Sequence, residues 1–242
     1  MMNKDTIRWY RKNEHPGLMN GRNNDRRKGM RQKVFALAVA LLSIFVFAAT
    51  GFSANYKMEY KMSIVVGPDG PWGESAARFA ETVRRATDGR INIKPYYNGQ
   101  LFAGRQTNEF QLMKEGVIDF AAGSTINWSS TVKELNIFSL PFLFPDYNSL
   151  DAVEYGEVGR QLFKIIEKNG VIGLGWGENG FRDLTNGKRP IKTPGDLEGL
   201  KIRVVGLPIF YDIFNAMGTN PKSMDWNEAL TAFSQATVDG QE

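Results

Sequence analysis

Apolar and polar side chains alternate along residues 56–66, where Tyr, Met, Ile and Val are interleaved with Lys, Glu and Ser. A period of two residues places successive side chains on opposite faces, which predicts a β-strand. Directly afterwards, apolar residues recur at helical spacing at positions 76, 79, 80 and 83, and Asp88-Gly89 supplies a stop signal. The patterned part of the chain therefore begins with a strand followed by a helix.

The same two patterns recur along the rest of the chain. Helical spacing predicts helices at residues 107–114 and 146–168, the second with a break near Gly156. Strands that alternate with helices favour the α/β class with a mostly parallel sheet. Short apolar runs predict the remaining strands, at residues 91–97, 117–122, 171–176 and 200–205.

Two four-residue segments carry turn and capping signals. Residues 193–196 read Thr-Pro-Gly-Asp and predict a turn before the strand at 200–205. Residues 225–228 read Asp-Trp-Asn-Glu, which has the form of a capping box at the start of a helix. We therefore expect a final helix to begin there.

A separate apolar segment lies near the start of the chain, at residues 34–49. It follows Arg31 and Lys33 and precedes small residues, which is the layout of a secretory signal peptide. Its sixteen residues are few for a membrane span, which needs about 20. We expect cleavage close to residue 55, and an uncleaved N-terminal anchor is the alternative. Because Met30 begins an ordinary signal, residues 1–29 are predicted to be an upstream misreading of the start codon, within a leader of residues 1–54.

Charge is distributed unevenly along the chain. Residues 1–33 hold ten Lys and Arg against three acidic residues, whereas the remaining 209 hold 20 Lys and Arg against 23 Asp and Glu. The part expected to fold is therefore mildly acidic, and a nucleic-acid partner is not indicated.

The inventory of reactive side chains is small. There is no cysteine, and the single histidine, His15, lies in the leader. We find no Gly-x-Ser-x-Gly, no phosphate-binding loop and no metal-ligand cluster. We therefore predict that the protein is not an enzyme and that it has no metal or cofactor, although a hydrolase that uses only carboxylates stays open.

Short motifs from residue 56 to residue 242 resemble the extracytoplasmic solute-binding subunits of tripartite ATP-independent periplasmic (TRAP) transporters, the DctP or C4-dicarboxylate-binding family. Each motif alone is weak, and the specificity comes from their order and spacing. They are Asp88-Gly89-Arg90-Ile91, Asn98-Gly99-Gln100-Leu101, Gly116-Val117-Ile118-Asp119, Leu140 to Phe144, Gly180-Phe181-Arg182, Pro194 to Arg203 and Val238 to Glu242.

The resemblance implies a periplasmic-binding-protein-like α/β fold of two lobes, with a ligand cleft at the hinge. Lobe I would be residues 55–179, and residues 180–242 would hold the hinge crossing and part of lobe II. Because family members continue beyond this point, we expect a truncated second lobe. The apolar faces at 200–204 and 230–233 would then lack partners.

One strand residue is the main candidate for ligand binding. Leu200, Ile202 and Val204 share one face of the predicted strand, so Lys201 and Arg203 share the other, which could be a solvated face. The resemblance implies instead that Arg203 grips the ligand carboxylate. A guanidinium suits this role because its planar fork binds a carboxylate with two hydrogen bonds and keeps its charge when desolvated.

The resemblance implies two further contacts from the second lobe. Arg182 would assist Arg203, and Trp226 would pack on the ligand. From the residues alone, Arg182 could equally form a salt bridge with Asp183 or Glu178, and Trp226 could be a core residue.

Ser124, Asn127 and Trp128 follow the end of a predicted strand, which is where α/β sheets bind ligands. A structured loop with a half-buried Trp is the alternative, and Trp176 is expected in the core. Family members that bind sialate carry acidic or amide groups at the positions of Val65, Gly104 and Ser124. We therefore expect a compact anion rather than a sugar acid.

Together these observations predict a periplasmic solute-binding protein that captures a small carboxylate, dicarboxylate or sulfonate. Its partners would be that anion and the integral membrane subunits of a TRAP transporter. The sensor domain of a membrane receptor is the main alternative.

Overall fold

Two small β-sheets organise residues 56–242, which are the part of the chain that the computed structural model describes. The predictions of a signal peptide, of its cleavage and of a misread start fall on residues 1–55 and lie outside the described residues. The strands of the first sheet lie between residues 60 and 122, and those of the second between 185 and 241. The predicted crossing near residue 180 falls between the two sheets.

The first sheet is parallel, as the alternation of strands and helices predicts. Its strands are β1 (Tyr60–Ile64), β2 (Ile93–Tyr96) and β3 (Phe120–Ala122), in the order β2-β1-β3. Helix α1 (Pro71–Ala86) connects β1 to β2 and buries Ala76 and Ala80 against them. Of the alternating pattern at 56–66, only residues 60–64 form a strand, in which Met62, Ser63 and Ile64 are buried.

Short helices complete the first half of the described chain. They are α2 (Glu109–Lys114), α3 (Thr125–Trp128), α4 (Tyr147–Glu154) and α5 (Glu157–Lys168). The predicted break lies at Gly156, where an added Cβ would meet the Ala152 carbonyl oxygen at 2.1 Å. Because that contact is impossible for a real side chain, glycine is required between α4 and α5.

The strand predicted at residues 171–176 is wrong. The Val171 N–H instead closes the end of α5 by bonding the Ile166 carbonyl oxygen, and no strand of the described chain pairs with this segment. Ile172 and Leu174 are 72% and 70% exposed. Trp176 does pack on the core as expected, with its ring stacked on Phe163 at 4.5 Å.

The elements of the second sheet are β4 (Thr185–Asn186), β5 (Lys201–Val204), helix α6 (Pro208–Ala216), β6 (Asn220–Ser223), helix α7 (Trp226–Ser234) and β7 (Gly240–Gln241). The strand order is β4-β7-β5-β6, and β5, β6 and β7 are parallel. Residues 193–196 form the predicted turn, closed by a capping box between Thr193 and Asp196.

The apolar face of β5 has partners, contrary to expectation. Leu200, Ile202 and Val204 are 4%, 0% and 0% exposed, and α6 covers them with Phe210 and Phe214. In α7, by contrast, Leu230 is 48% exposed. Helix α6 therefore supplies the packing that we expected to be missing from the strand.

Helix α7 begins where the capping box was predicted, but the box does not form. Asp225 occupies the N-cap position without a side-chain hydrogen bond to its own helix. Its Oδ1 accepts instead from the backbone N–H of Gln106, 3.1 Å away. The Asp225 side chain thus bonds a residue 119 positions away in the chain instead of capping its own helix.

Within residues 56–242, no helix is both long and apolar enough to span a bilayer.

Candidate anion-binding site

Arg203 is a buried guanidinium on strand β5. The side chain is 2% exposed, whereas Lys201, on the same face two residues earlier, is exposed. The solvated-face alternative is therefore wrong for Arg203. Flanking strands β6 and β7 pair with β5 at this residue and remove water from around it.

A main-chain carbonyl holds the Arg203 side chain in place. Both Nε and Nη2 donate to the Met224 oxygen, at 3.1 and 2.9 Å. A guanidinium has five N–H groups, so three remain, and none of the hydrogen bonds within residues 56–242 uses them. Two of the three, one on Nη1 and one on Nη2, form the end of the fork. That end can bind a carboxylate with two parallel hydrogen bonds.

Trp226 lies beside this guanidinium. The Arg203 guanidinium carbon is 5.8 Å from the centre of the Trp226 ring, within the range of a cation–π contact. Trp226 is the first residue of α7 and is half-buried. The aromatic wall and the cation predicted from the sequence are therefore neighbours.

Burial is the main influence on the titration of Arg203. It lowers the pKa of the guanidinium from its ordinary value, and the second cation Arg182 lowers it too, while Glu242 and Asp225 raise it. Because an arginine side chain in a protein keeps its proton, Arg203 stays charged. A desolvated cation of this kind favours an anionic partner.

Arg182 forms its salt bridge with Glu242, so both partners considered from the sequence, Asp183 and Glu178, are wrong. Its Nε donates to the Glu242 carboxylate, and its Nη2 donates to the Glu242 main-chain oxygen at 2.9 Å. Arg182 also lies over the Phe210 ring, 5.5 Å from its centre. The Arg182 side chain is 35% exposed, whereas that of Glu242 is 4% exposed.

Glu242 is a contributor to the site that sequence reasoning missed. Its main-chain N–H donates to the Arg203 carbonyl oxygen at 3.3 Å, which places it beside the strand that carries Arg203. The motif Val238 to Glu242 was recognised in the sequence, yet nothing in it indicated that the last carboxylate pairs with Arg182. Arg182 and Glu242 are 60 residues apart, and no pattern in the sequence indicates that two charged residues so far apart form an ion pair.

The three candidates around helix α3 have different environments. Ser124 caps the helix by accepting from the Ile126 N–H at 3.2 Å. Asn127 is 3% exposed, and its Oδ1 accepts from Gln106 Nε2 at 2.9 Å. Trp128 packs edge-on against Phe110 within the first half of the molecule. Only Asn127 is linked through hydrogen bonds to Trp226, by way of Gln106.

A buried carboxyl group lies directly behind α3. Glu109 is fully buried, and its two oxygens accept from Ser63 Oγ at 2.6 Å and Trp128 Nε1 at 2.8 Å. Burial raises the pKa of Glu109 to about 7, although both hydrogen bonds lower it. An added Cβ on Gly123 would meet Glu109 Oε2 at 2.4 Å, so glycine is needed for this close approach.

Gln106 joins the two halves of the described chain, and sequence reasoning missed it. Its Oε1 accepts from the Trp226 N–H at 3.0 Å, its Nε2 donates to Asn127, and its backbone N–H donates to Asp225. The side chain is 4% exposed. A single glutamine in a polar segment matches no motif, so only the tertiary structure identifies it.

No group of three or more His, Asp or Glu side chains in the described part of the chain is arranged to hold a metal ion.

A protein-family model matches residues 62–242 and describes a "Bacterial extracellular solute-binding protein, family 7". Among curated relatives, the C4-dicarboxylate-binding protein DctB of Bacillus subtilis is 32% identical over 183 residues, covering 76% of this chain and 52% of that protein. The C4-dicarboxylate-binding periplasmic protein DctP of Rhodobacter capsulatus is 33% identical, covering 75% and 54%. This chain thus spans about half the length of these curated relatives.

Solved structures of TRAP periplasmic solute-binding proteins share the fold. One from Ralstonia eutropha, with bound (S)-2-acetolactate, is 55% identical with a TM-score of 0.76, covering 77% of this chain and 59% of that one. One from Sulfurospirillum deleyianum, with bound succinate, is 33% identical with a TM-score of 0.70, covering 76% and 58%. One from a Sulfitobacter species, with bound β-D-galacturonate, is 28% identical with a TM-score of 0.72, covering 76% and 60%. The predicted α/β fold of the periplasmic-binding-protein type is confirmed by these likenesses.

Proposed function

Because this chain belongs to the bacterial extracellular solute-binding proteins, family 7, we propose that it captures a small organic anion in the periplasm for a TRAP-type uptake system. The curated and structural relatives are solute-binding proteins, which supports binding without chemical turnover. The integral membrane subunits of such a transporter would be the protein partners.

The observation that carries this proposal is the environment of Arg203. The guanidinium is buried beside Trp226, and the end of its fork makes no hydrogen bond within residues 56–242. Desolvating a cation is costly unless an anion or strong acceptors satisfy it. A bound carboxylate would supply two charge-assisted hydrogen bonds at this end of the fork.

The ligand that we propose is a compact carboxylate, such as a short 2-hydroxy acid or a C4-dicarboxylate. The relative with bound (S)-2-acetolactate is 55% identical to this chain, whereas the relative with bound galacturonate is 28% identical. Val65, one of the positions that carry polar groups in sialate-binding relatives, is a buried apolar residue here. Each hydroxyl of a longer sugar acid would need a polar partner that this position does not offer.

Export supports the same function. Residues 31–54 have the layout of a secretory signal peptide, and the DctP relative of Rhodobacter capsulatus is described as periplasmic. We infer that the leader carries the protein across the inner membrane. The ligand-loaded protein would then dock on the membrane subunits.

Binding by two lobes also implies a mechanism. Contacts that form only when the lobes approach stabilise the closed state, so ligand shifts the equilibrium towards it. Closure removes water from the pair formed by Arg203 and the ligand carboxylate and so strengthens it.

Isothermal titration calorimetry on the purified full chain tests the proposal. The panel is (S)-2-acetolactate, succinate, D-galacturonate, a C4 sulfonate and uncharged 2,3-butanediol. We expect saturable binding of at least one compact carboxylate and no binding of the diol. Binding of none of the acids, or conversion of an acid into a product during incubation, would contradict the proposed function.

A further inference from the structure

Gln106 connects three groups from two places in the fold, helix α3 and the start of helix α7. The Trp226 N–H lies at the start of α7, Asn127 lies on α3, and Asp225 lies just before α7. Gln106 bonds all three, at 3.0, 2.9 and 3.1 Å. It therefore ties the first half of the described chain to the helix whose first residue lies beside Arg203.

The hydrogen-bonding groups allow only one orientation of this carboxamide. The Trp226 main-chain N–H can only donate, so the oxygen of Gln106 must face it. The Nε2 group of Gln106 then faces Asn127 and donates to Oδ1. Because Oδ1 is fixed as an acceptor, the Asn127 Nδ2 group is left as a donor that no hydrogen bond within the described chain uses.

Both ends of this arrangement reach residues assigned to the anion site. At one end, the backbone of Trp226 is held, and its ring lies 5.8 Å from the Arg203 guanidinium carbon. At the other end, the amide of Asn127 is oriented by Gln106, and no hydrogen bond within residues 56–242 uses its Nδ2 group. A carboxylate or hydroxyl oxygen of an acid ligand accepts hydrogen bonds, which is what such a donor requires.

We propose that Gln106 is a positioning residue of the anion site, which sets the place of Trp226 over Arg203 and orients the Asn127 amide as a donor towards ligand oxygens. This inference rests on the proposed function, since it assigns the site a further determinant. Gln106 acts through Trp226 and Asn127 and does not itself need to touch the ligand.

Two variants separate the two halves of this role. Gln106→Leu removes both side-chain hydrogen bonds and leaves the Trp226 N–H and the buried Asn127 Oδ1 without these partners. Gln106→Glu keeps an acceptor for Trp226 but loses the donor to Asn127. Asn227→Ala is the matched control, because Asn227 Nδ2 also joins the two halves, by donating to the Asn98 carbonyl oxygen at 2.7 Å, but it bonds neither Trp226 nor Asn127.

The first measurement needs no ligand. Hydrogen–deuterium exchange of the full chain reports on the amides of residues 224–230. We expect faster exchange at Trp226 in Gln106→Leu, and exchange close to that of the unmodified protein in Gln106→Glu and Asn227→Ala. Unchanged exchange at Trp226 in Gln106→Leu would overturn the proposal.

The second measurement is affinity for (S)-2-acetolactate and succinate, with and without Trp226→Ala. Losing hydrogen bonds of ordinary strength should weaken binding by about tenfold in Gln106→Leu. If Gln106 acts through the position of Trp226, this loss should shrink to about threefold or less in the Trp226→Ala background. Equal losses in both backgrounds would overturn the role through Trp226, and the role through Asn127 is then decided by Gln106→Glu.

The two hypotheses fail in different ways. If the unmodified protein binds no acid on the panel, the proposed function fails, and the exchange result alone decides whether Gln106 holds Trp226. If the unmodified protein binds and Gln106→Leu binds equally well, the positioning role fails and the proposed function stands. Should Gln106→Leu not fold, Gln106→Glu with and without Asn127→Ala still decides. A loss of affinity that disappears in the Asn127→Ala background supports the donor role of Asn127, because repulsion between the new carboxylate and the ligand would persist there. A loss of the same size in both backgrounds, or no loss at all, contradicts it.

Discussion

Arg203 donates two hydrogen bonds to the carbonyl oxygen of Met224, at 3.1 and 2.9 Å. This contact fixes the plane of the guanidinium from its side, because Nε and Nη2 lie on the same edge. The end of the fork is left for another acceptor. The Met224 carbonyl, just before α7, thereby orients the Arg203 guanidinium, which we propose binds the ligand.

Arg203→Ala should abolish most of the affinity for the ligand. Removing one partner of a buried, hydrogen-bonded charge pair costs about 2–5 kcal/mol. Since about 1.4 kcal/mol corresponds to a tenfold change, affinity should fall by about thirty-fold to several thousand-fold. Arg203→Lys should also bind poorly, because a point charge cannot make two parallel hydrogen bonds. Calorimetric titration with the cognate acid measures both.

Lys201→Ala is the control for that experiment, because Lys201 shares the strand face but is exposed. It should bind as the unmodified protein does. Thermal melts should show that all three variants fold, since Arg203 does not belong to the apolar cluster of β5. An Arg203→Ala variant that binds normally would show that the site is assigned wrongly.

Arg182→Ala should weaken binding less than Arg203→Ala but should also reduce stability. Arg182 is more than a third exposed, whereas its partner Glu242 is nearly buried and would lose its cation. An unpaired buried carboxylate is unfavourable. Urea denaturation of Arg182→Ala, Glu242→Gln and the double variant measures the coupling between the two residues. If their separate losses of stability simply add, the pair contributes nothing and the expectation is wrong.

The stability of the protein should carry a pH-dependent contribution from Glu109. Burial raises the pKa of this carboxyl from 4.5 to about 7 in the folded protein, so between those values the folded state holds a proton that the unfolded state has lost. The stabilising contribution of this proton is present in full below about pH 4.5, and it is lost as pH rises through about 7. Its full size is about 3 kcal/mol.

Glu109→Gln tests this contribution, because the amide resembles the protonated acid. Its oxygen can accept from Trp128 while its nitrogen donates to Ser63 Oγ, which can act as an acceptor. Urea denaturation at pH 5.5 and pH 8 should show the variant gaining stability relative to the unmodified protein at the higher pH. A stability difference that does not change with pH would mean that Glu109 does not titrate in this range.

Export should remove the leader. We expect periplasmic protein to begin close to residue 55, because small residues follow the apolar segment 34–49. N-terminal mass spectrometry of the periplasmic fraction identifies the first residue. Intact Met1 in that fraction would rule out both the cleavage and the predicted misread start.

Local patterns in the sequence were sufficient for much of the fold. The alternation at 56–66, the helical spacing after it and the break at Gly156 each depend on residues close together in the chain. The helix and the break appear in the structure as predicted, and the alternation appears as a strand over residues 60–64. The apolar run at 171–176 failed because a strand also needs a second strand to bond. The sequence of residues 171–176 does not show whether a second strand lies beside them, so the strand could not be ruled out from the sequence.

For the site, the sequence determined the kinds of chemistry and the tertiary structure decided the pairings. The family resemblance singled out Arg203, Arg182 and Trp226, and the lack of histidine and cysteine after the leader left guanidinium, ammonium, amide, hydroxyl, indole and carboxylate groups for the polar chemistry. Only the fold decided that Arg182 pairs with Glu242 and that Gln106 holds Trp226, across 60 and 120 residues. The physical reason is that a hydrogen bond or ion pair depends on distance in space. Residues 60 or 120 positions apart produce no repeating pattern in the sequence, so their contact cannot be predicted from it.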